Sequence, residues 1–107
     1  MNDFPKGVLK LVDVLKNNYK VLPKEQEIYD WDLRRVYLHN EKSNLDYTIR
    51  TWNIRVEEYS KEGKEEVISV DYTIYKRKKS ETINGKKVDY NAINVHSGIV
   101  LLDFREG

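Results

Sequence analysis

The sequence predicts an α+β fold in which an N-terminal amphipathic helix packs on a curled, mainly antiparallel sheet of four main strands plus a small hairpin. Two observations carry this prediction. Apolar residues recur at helical spacing near the start, and the later segments alternate in polarity and are rich in Tyr, Trp, Ile, Val and Thr. A chain of 107 residues can bury one core but not two, so we expect a single domain over residues 1–107.

The helix is predicted over residues 4–17, where Val8, Leu11 and Leu15 fall on one face and charged residues fall off it. Asp3 is a suitable N-cap, because its carboxylate can accept hydrogen bonds from the free amides of the first helical turn. The width of the apolar stripe indicates that the helix is buried against a sheet.

The first strand is predicted over residues 28–38, after a connector at residues 20–27 and before a turn at residues 39–44. Apolar and polar side chains alternate along it, so Asp30 and Asp32 share one face. We expect that face to be exposed to solvent.

A long hairpin is predicted around "SKEGKE", where Gly63 takes the left-handed conformation of a three-residue loop. If Ser60 faces Lys64, the register follows and places apolar residues opposite one another on one face. The predicted pairs are Val56 with Ile68, Ile54 with Val70 and Trp52 with Tyr72. Beyond Thr51 the apolar positions change face, which predicts a bulge or bend near residues 50–52. Since arms of about 12 residues exceed the usual strand length, the ribbon must bend or wrap around something.

The last strand is predicted over residues 92–104, with a kink at Ser97 and Gly98. Apolar side chains lie on both of its faces, Val100 and Leu102 on one and Ile99 and Leu101 on the other. Because strands with two apolar faces are typical of sheet interiors, we expect a central strand that is covered on both sides.

The composition is unusually ionic, with 35% charged residues, 39% apolar residues and a formal net charge of +1. A net charge so near neutrality does not attract the whole molecule to nucleic acid or to an anionic membrane, so such binding would require a local patch. The lack of cysteine excludes disulfides and thiolate metal sites and fits a reducing cytoplasm, where we expect the protein to reside. We expect neither signal peptide nor membrane span, because Lys10 and Asp13 interrupt the apolar residues near the start.

The charges of the long hairpin are segregated along its length. Five glutamates surround the turn and are only partly offset by Lys61 and Lys64: Glu57, Glu58, Glu62, Glu65 and Glu66. An acidic tip of this kind could meet a basic protein surface. The same charges could instead only keep an exposed ribbon soluble.

Basic residues gather at the other end of the hairpin. They lead into a second, small hairpin predicted by Asn84-Gly85, the dipeptide that favours the tightest antiparallel turns. The basic cluster comprises Lys76, Arg77, Lys78, Lys79, Lys86 and Lys87, with Arg50, Tyr75 and Tyr90 expected within reach. Such a cluster could hold phosphates while the tyrosine rings stack on an unpaired base.

Residues suited to catalysis are scarce. His96 beside Ser97 does not form a catalytic pair, since neighbouring strand residues point to opposite faces. Asp30 and Asp32 could bind a divalent cation only if another ligand joined them, and no phosphate loop or metal-ligand spacing is present. We therefore expect no enzyme, no cofactor and no metal, and the weakest alternative is an enzyme or ligand cup that uses these carboxylates and His96.

These observations favour a small non-catalytic protein-binding module that uses the charge-segregated β-ribbon. The abundance of Lys, Glu, Asn, Ile and Tyr is typical of proteins from AT-rich bacterial or phage genomes, which suggests an inhibitor or an adaptor. A protein partner is expected, and the alternative is a nucleic-acid-binding protein that uses residues 76–79 and 86–87. The exposed edge of the ribbon could also pair with a second copy.

Overall fold

The structure is a computed structural model that describes residues 5–105. Over that range the chain forms one helix and seven strands: α1 (Lys6–Asn17), β1 (Glu27–Asp32), β2 (Arg35–His39), β3 (Leu45–Tyr59), β4 (Glu65–Lys78), β5 (Glu81–Ile83), β6 (Lys86–Val88) and β7 (Ile93–Asp103). A five-stranded antiparallel sheet has the order β1-β2-β3-β4-β7, and β5 pairs with β6 in a separate two-stranded sheet. The predicted α+β class is confirmed: one N-terminal helix, an open and mainly antiparallel sheet, and a small hairpin.

Helix α1 begins directly after Pro5, which suits a helix start because proline has no amide hydrogen to leave unpaired there. It ends at Asn17, and the Asn18 amide donates to the Val14 carbonyl at 2.9 Å. The predicted cap Asp3 and the first residue of the predicted helix lie outside the described residues. Four buried side chains of the helix face the sheet: Leu11, Val12, Val14 and Leu15.

The core lies between α1 and one face of the five-stranded sheet, which we call the core face. Its strand residues alternate in the sequence, as expected when a sheet is covered on one side only. They are Val36, Leu38, Ile49, Val70, Tyr72, Ile74, Val100 and Leu102. The opposite face, the outer face, is covered by none of the described elements. The molecule is elongated, at 61 × 29 × 23 Å, because the hairpin of β3 and β4 extends beyond the helix.

The β3–β4 hairpin turns as predicted. Gly63 has a φ of 76°, its amide donates to the Ser60 carbonyl at 3.0 Å, and the Ser60 amide donates to the Lys64 carbonyl at 2.7 Å. Val56 lies opposite Ile68, which confirms that predicted pair. Two register shifts on either side of Glu58 compensate each other, so the register that the turn chemistry requires is kept at Val56.

Farther from the loop, the predicted pairing of Trp52 with Tyr72 is wrong. Trp52 lies opposite Asp71, and Thr51 lies opposite Tyr72, so the register has moved by one residue. The shift lies between Trp52 and Arg55, and Ile54 has no regular partner there. Ile54 consequently fails to form its predicted pair with Val70.

A bulge at Asn53 is the physical reason for this shift. Asn53 has a φ of 48°, a left-handed conformation that asparagine tolerates better than most residues. Its side-chain amide donates to the Asp71 carboxylate at 2.8 Å. Because of this extra residue, the apolar residues on both sides of the bulge face the core. The predicted change of phase is therefore present, but it lies at Asn53 and not within residues 50–52.

The strand predicted over residues 28–38 is instead a hairpin of β1 and β2. The chain reverses at Leu33 and Arg34, and Asp32 lies opposite Arg35. Neither Leu33 nor Arg34 is a usual turn former, and the local signal is limited to Asp32, whose carboxylate accepts a hydrogen bond from the Arg34 amide at 3.4 Å. The four predicted main strands thereby become five.

Strand β7 lies at a sheet edge, so the prediction of a central, covered strand is wrong for the single chain. Val100 and Leu102 are buried on the core face, but Ile99 and Leu101 are 57% and 55% exposed on the outer face. Pairing with β4 is regular at Ser97 and Gly98, where a kink was predicted. The irregularity lies instead at Val95, between the paired residues Asn94 and His96.

The small hairpin of β5 and β6 is confirmed. Asn84 and Gly85 have φ values of 51° and 77°, the two successive left-handed residues that the tightest hairpin turn needs. Among the described residues, no helix is long and apolar enough to cross a membrane.

Candidate binding surfaces

An open apolar groove of about 290 Å³ lies on the core face where the ribbon extends past the helix. It is lined mainly by apolar side chains of α1, of the β1–β2 turn, of β3 and β4, and of the segment after β7. Ile54 and Leu33 are 59% and 96% exposed, and Trp31 is 41% exposed. We call this surface the apolar groove.

The Asn53 bulge and the β1–β2 reversal create the groove. The bulge aims Ile54 to the core face at a point where α1 no longer covers the sheet. The reversal brings Trp31 and Leu33 into the lining, and Phe104, which follows β7, adds a further apolar side chain. The Phe104 amide is anchored to the Glu66 carbonyl at 2.6 Å.

The acidic tip, residues 57–66, lies beyond the groove at the end of the ribbon. All five predicted acidic residues belong to it, and the three without an ion pair among the described residues are Glu62, Glu65 and Glu66. Glu57 is 4.0 Å from Arg55, and Glu58 is 3.0 Å from Arg105. Hydrogen bonds from Arg105 also lower the pKa of Asp103 to about 2. The tip therefore keeps an excess of negative charge despite its local partners.

The predicted basic cluster lies at the opposite end of the ribbon, and three of its members, Lys78, Lys79 and Lys87, have local partners. Lys78 forms an ion pair with Glu81 at 3.3 Å and lies 4.8 Å from the centre of the Tyr90 ring. The Lys79 ammonium donates to the Asn40 carbonyl at 2.6 Å.

Of the two lysines of the basic cluster that belong to the small hairpin, one has a local partner. Lys87 lies 3.9 Å from Asp89, while Lys86 is exposed on β6. At the end of β4, Lys76 and Arg77 line a small pocket of about 190 Å³ together with Tyr75 and other outer-face residues. The cluster is thus less free to contact a ligand than its sequence suggests.

A network of hydrogen bonds joins Tyr90, Glu81 and Lys78 at this end. The Tyr90 hydroxyl donates to the Glu81 carboxylate at 2.6 Å, and this bond, followed by the one from Lys78, lowers the pKa of Glu81. The same contacts raise the pKa of Tyr90 and of Lys78. Tyr90 thus supports the small hairpin, which competes with its predicted role in stacking on a base.

Three arginines form a group that the sequence did not reveal. Arg35 on β2 lies directly opposite Arg50 on β3, and Arg34 occupies the turn beside them. None of the three forms an ion pair with a described residue. Directly opposed like charges destabilise a sheet, so this arrangement favours an anionic ligand.

Aromatic side chains flank the arginines. Trp52 and Tyr75 line a cavity of about 350 Å³ with Arg34, Arg50 and Thr51. We call Arg34, Arg35 and Arg50 with these two rings the arginine surface. Of the predicted binding residues, it contains Arg50 and Tyr75. The hydrophobic alternation of residues 28–38 predicts one strand, so the sequence did not reveal the reversal at Leu33 and Arg34 after which Arg35 pairs with Arg50 of β3.

The candidate catalytic and metal-binding groups do not come together. Asp30 and Asp32 lie on the outer face of β1, at one edge of the sheet, whereas His96 faces the core side on β7, at the other edge. Asp32 accepts a hydrogen bond from the Tyr37 hydroxyl at 2.9 Å, which raises the pKa of Tyr37. No cluster of three or more metal-ligating side chains occurs within residues 5–105.

Comparison with known proteins assigns the chain to no family. No protein-family model matches the chain, and no curated protein or solved structure is significantly similar to it.

Proposed function

We propose that the protein is a non-catalytic protein-binding module, and that the apolar groove and the acidic tip together take an amphipathic, basic segment of a partner. A single observation carries this proposal: exposed Ile54, Leu33 and Trp31 line an apolar groove, and β3 leads from Ile54 into the acidic tip within three residues. Large apolar side chains that are exposed together in one patch usually mark a site of interaction with another molecule.

Charge complementarity defines the partner segment. An amphipathic helix binds a groove through the apolar residues on one of its faces. Its polar faces contact the charged residues around the groove. The charged residues that line the groove itself are Asp32, Arg34 and Arg35, and the acidic tip begins three residues after Ile54 on β3. The partner segment therefore carries its Lys or Arg at the end that extends from the groove over the tip. A module of this kind acts as an inhibitor or an adaptor.

Tryptophan fluorescence tests the proposal directly. Trp31 lies at the groove and Trp52 on the outer face, so Trp52→Phe leaves one reporter at the proposed site. A synthetic amphipathic helix of Leu and Lys should change the emission of Trp31, and a matched helix of Leu and Glu should bind at least about tenfold more weakly, equivalent to about 1.4 kcal/mol. Equal affinity for the two peptides, or binding of neither, contradicts the proposal.

Substitutions locate the binding site. Ile54→Asp and the pair Glu65→Lys with Glu66→Lys should each weaken binding of the basic peptide. The matched control is Ile83→Asp, because Ile83 is similarly exposed but belongs to the small hairpin. Affinity that falls equally in the control would assign the binding to nonspecific hydrophobic contact.

A second candidate function, nucleic-acid binding, rests on the arginine surface. Guanidinium groups that face Trp52 and Tyr75 are suited to hold phosphates while the rings stack on unpaired bases. The test is the fluorescence anisotropy of a labelled single-stranded oligonucleotide over a range of salt concentrations. Affinity should fall steeply with salt and be lost in Arg35→Glu with Arg50→Glu.

The predicted basic cluster provides the comparison for that test. If Lys86→Glu with Lys87→Glu abolishes binding while the arginine variant retains it, the basic cluster is the site. An oligonucleotide that fails to bind at low salt excludes this second function.

A further inference from the structure

The two edges of the five-stranded sheet differ in how they are protected against pairing with another chain. β1 carries Glu27, Asp30 and Asp32 and has a bulge at Tyr29. β7 extends over 11 residues, and Asp103 at its end is its only Asp, Glu, Lys or Arg. Charges and bulges are the usual means by which natural sheets prevent pairing at an edge. The bulge of β7 lies near its start, at Val95, so the regular stretch from His96 to Leu102 is unprotected.

Strand β7 also exposes apolar side chains that a sheet interior would cover. They are Ile93, Val95, Ile99 and Leu101, each more than two-fifths exposed. In addition, an edge strand presents unpaired backbone N–H and C=O groups along its free side. Both features suit a strand with neighbours on two sides, and the described chain supplies only β4.

We propose that a second copy of this chain occupies the free edge, with β7 pairing antiparallel to β7 about a two-fold axis. The distribution of charge argues for this occupant. The start of β7 pairs with Lys76, a member of the basic cluster, and the end of β7 pairs with Val67, which follows Glu65 and Glu66. Antiparallel pairing therefore places the basic end of each copy against the acidic end of the other.

The resulting assembly is a continuous sheet of about ten strands in which β7 becomes a central strand. The backbone groups of the free edge are then paired, and the outer-face row of Ile99 and Leu101 continues into the same row of the second copy. The interface lies two strands away from Ile54 on β3, so the dimer does not depend on the proposed binding at the apolar groove.

Sedimentation equilibrium with charge-pair variants tests this dimer. The wild-type chain should dimerise, and Ile99→Lys with Leu101→Lys should weaken the dimer by about a hundredfold or more, because like charges then meet across the axis. Ile99→Glu with Leu101→Glu should do the same. An equimolar mixture of the two variants should restore a dimer that contains one chain of each kind.

The controls separate loss of the interface from loss of the fold. Circular dichroism should be unchanged in both variants, since the substituted side chains are exposed on the outer face. Ile83→Lys should leave the dimer intact. A monomeric wild-type chain, variants that remain dimeric, or a mixture of folded variants that stays monomeric would each overturn the proposal.

Discussion

The β3–β4 hairpin has two halves that share one sequence pattern and differ in cover. In the half near the basic end, which α1 covers, Ile49, Tyr72 and Ile74 are completely or almost completely buried. In the distal half, which runs from Asn53 around the turn, Ile54 is exposed although it also points to the core face. Alternation together with the Asn53 bulge therefore specifies which face a residue occupies, whereas the position of the helix decides whether that residue stabilises the fold or forms a surface.

The largest expected difference between the halves concerns equivalent truncations of isoleucine. Ile74→Ala should lower the free energy of unfolding by about 2–4 kcal/mol, since it leaves a cavity in the core. Ile54→Ala should lower it by less than about 1 kcal/mol, because most of that side chain is already in water. Urea unfolding at one fixed protein concentration measures both. Similar losses would mean that the distal half is packed in solution.

Two glycines sharpen the comparison by acting through different causes. A methyl group at Gly98 would lie 3.0 Å from the hydroxyl oxygen of the buried Tyr72, so Gly98→Ala should cost about 1–3 kcal/mol through overpacking. A methyl group at Gly63 would meet no other atom, so the effect of Gly63→Ala comes only from the strain of alanine at positive φ. This substitution should lower the free energy of unfolding by about 1–2 kcal/mol. Gly63→Asn is the control, and it should be less destabilising than Gly63→Ala. The measurement is again unfolding by urea.

The bulge that separates the halves should be sensitive to residue type. Asn53→Val should lower the free energy of unfolding by about 1–2 kcal/mol, since a β-branched side chain is strained at positive φ. Asn53→Gly keeps the conformation and should change stability by less than about 1 kcal/mol, even though it loses the bond to Asp71. Amide chemical shifts of Ile54 and Arg55 would report the register directly. A valine variant with native stability and native shifts would show that the left-handed residue is not needed.

The smallest effect is expected at the basic end. Tyr90→Phe removes the hydrogen bond that contributes most to lowering the pKa of Glu81, so that pKa should rise toward its ordinary value of 4.5. A lowered carboxyl pKa stabilises the folded state above the ordinary value, and this contribution is lost as the pH falls through the lowered value. Carboxyl carbon shifts followed by NMR from neutral to acidic pH measure the change. Asp89 is the internal control, because Tyr90 does not contact it through its hydroxyl.

Turn chemistry accounts for the parts of the fold that the sequence predicted. Gly63 and the Asn84-Gly85 pair favour hairpins by backbone conformation alone, and both hairpins are present. The reversal at Leu33 and Arg34 contains no residue that favours a left-handed backbone, and it was missed. Its hydrogen bonds run from the Arg34 amide to the Asp32 carboxylate at 3.4 Å and from the distant Thr51 amide to the Arg34 carbonyl at 2.9 Å. The sequence nevertheless contained a signal there, because the apolar positions change from odd numbers before Leu33 to even numbers after it.

The candidate surfaces were predictable to different degrees for a related reason. The acidic tip is contiguous around one turn, so sequence proximity implied spatial proximity. The arginine surface joins residues of β2, β3 and β4, and it depends on a register that the missed hairpin and the Asn53 bulge determine. The apolar groove also depends on where α1 stops covering the sheet, which is a property of the packed molecule.

The order of the strands has a consequence for how the chain acquires its structure. Each strand of the main sheet pairs with the main-sheet strand that precedes or follows it in the chain, and the small hairpin of β5 and β6 lies in the connection between β4 and β7. When short loops close in succession, each step loses little conformational entropy. Strand pairing can therefore propagate outward from Gly63 before the helix packs on the sheet. We therefore expect folding that is fast for a protein rich in β structure, with the β3–β4 turn formed in the transition state.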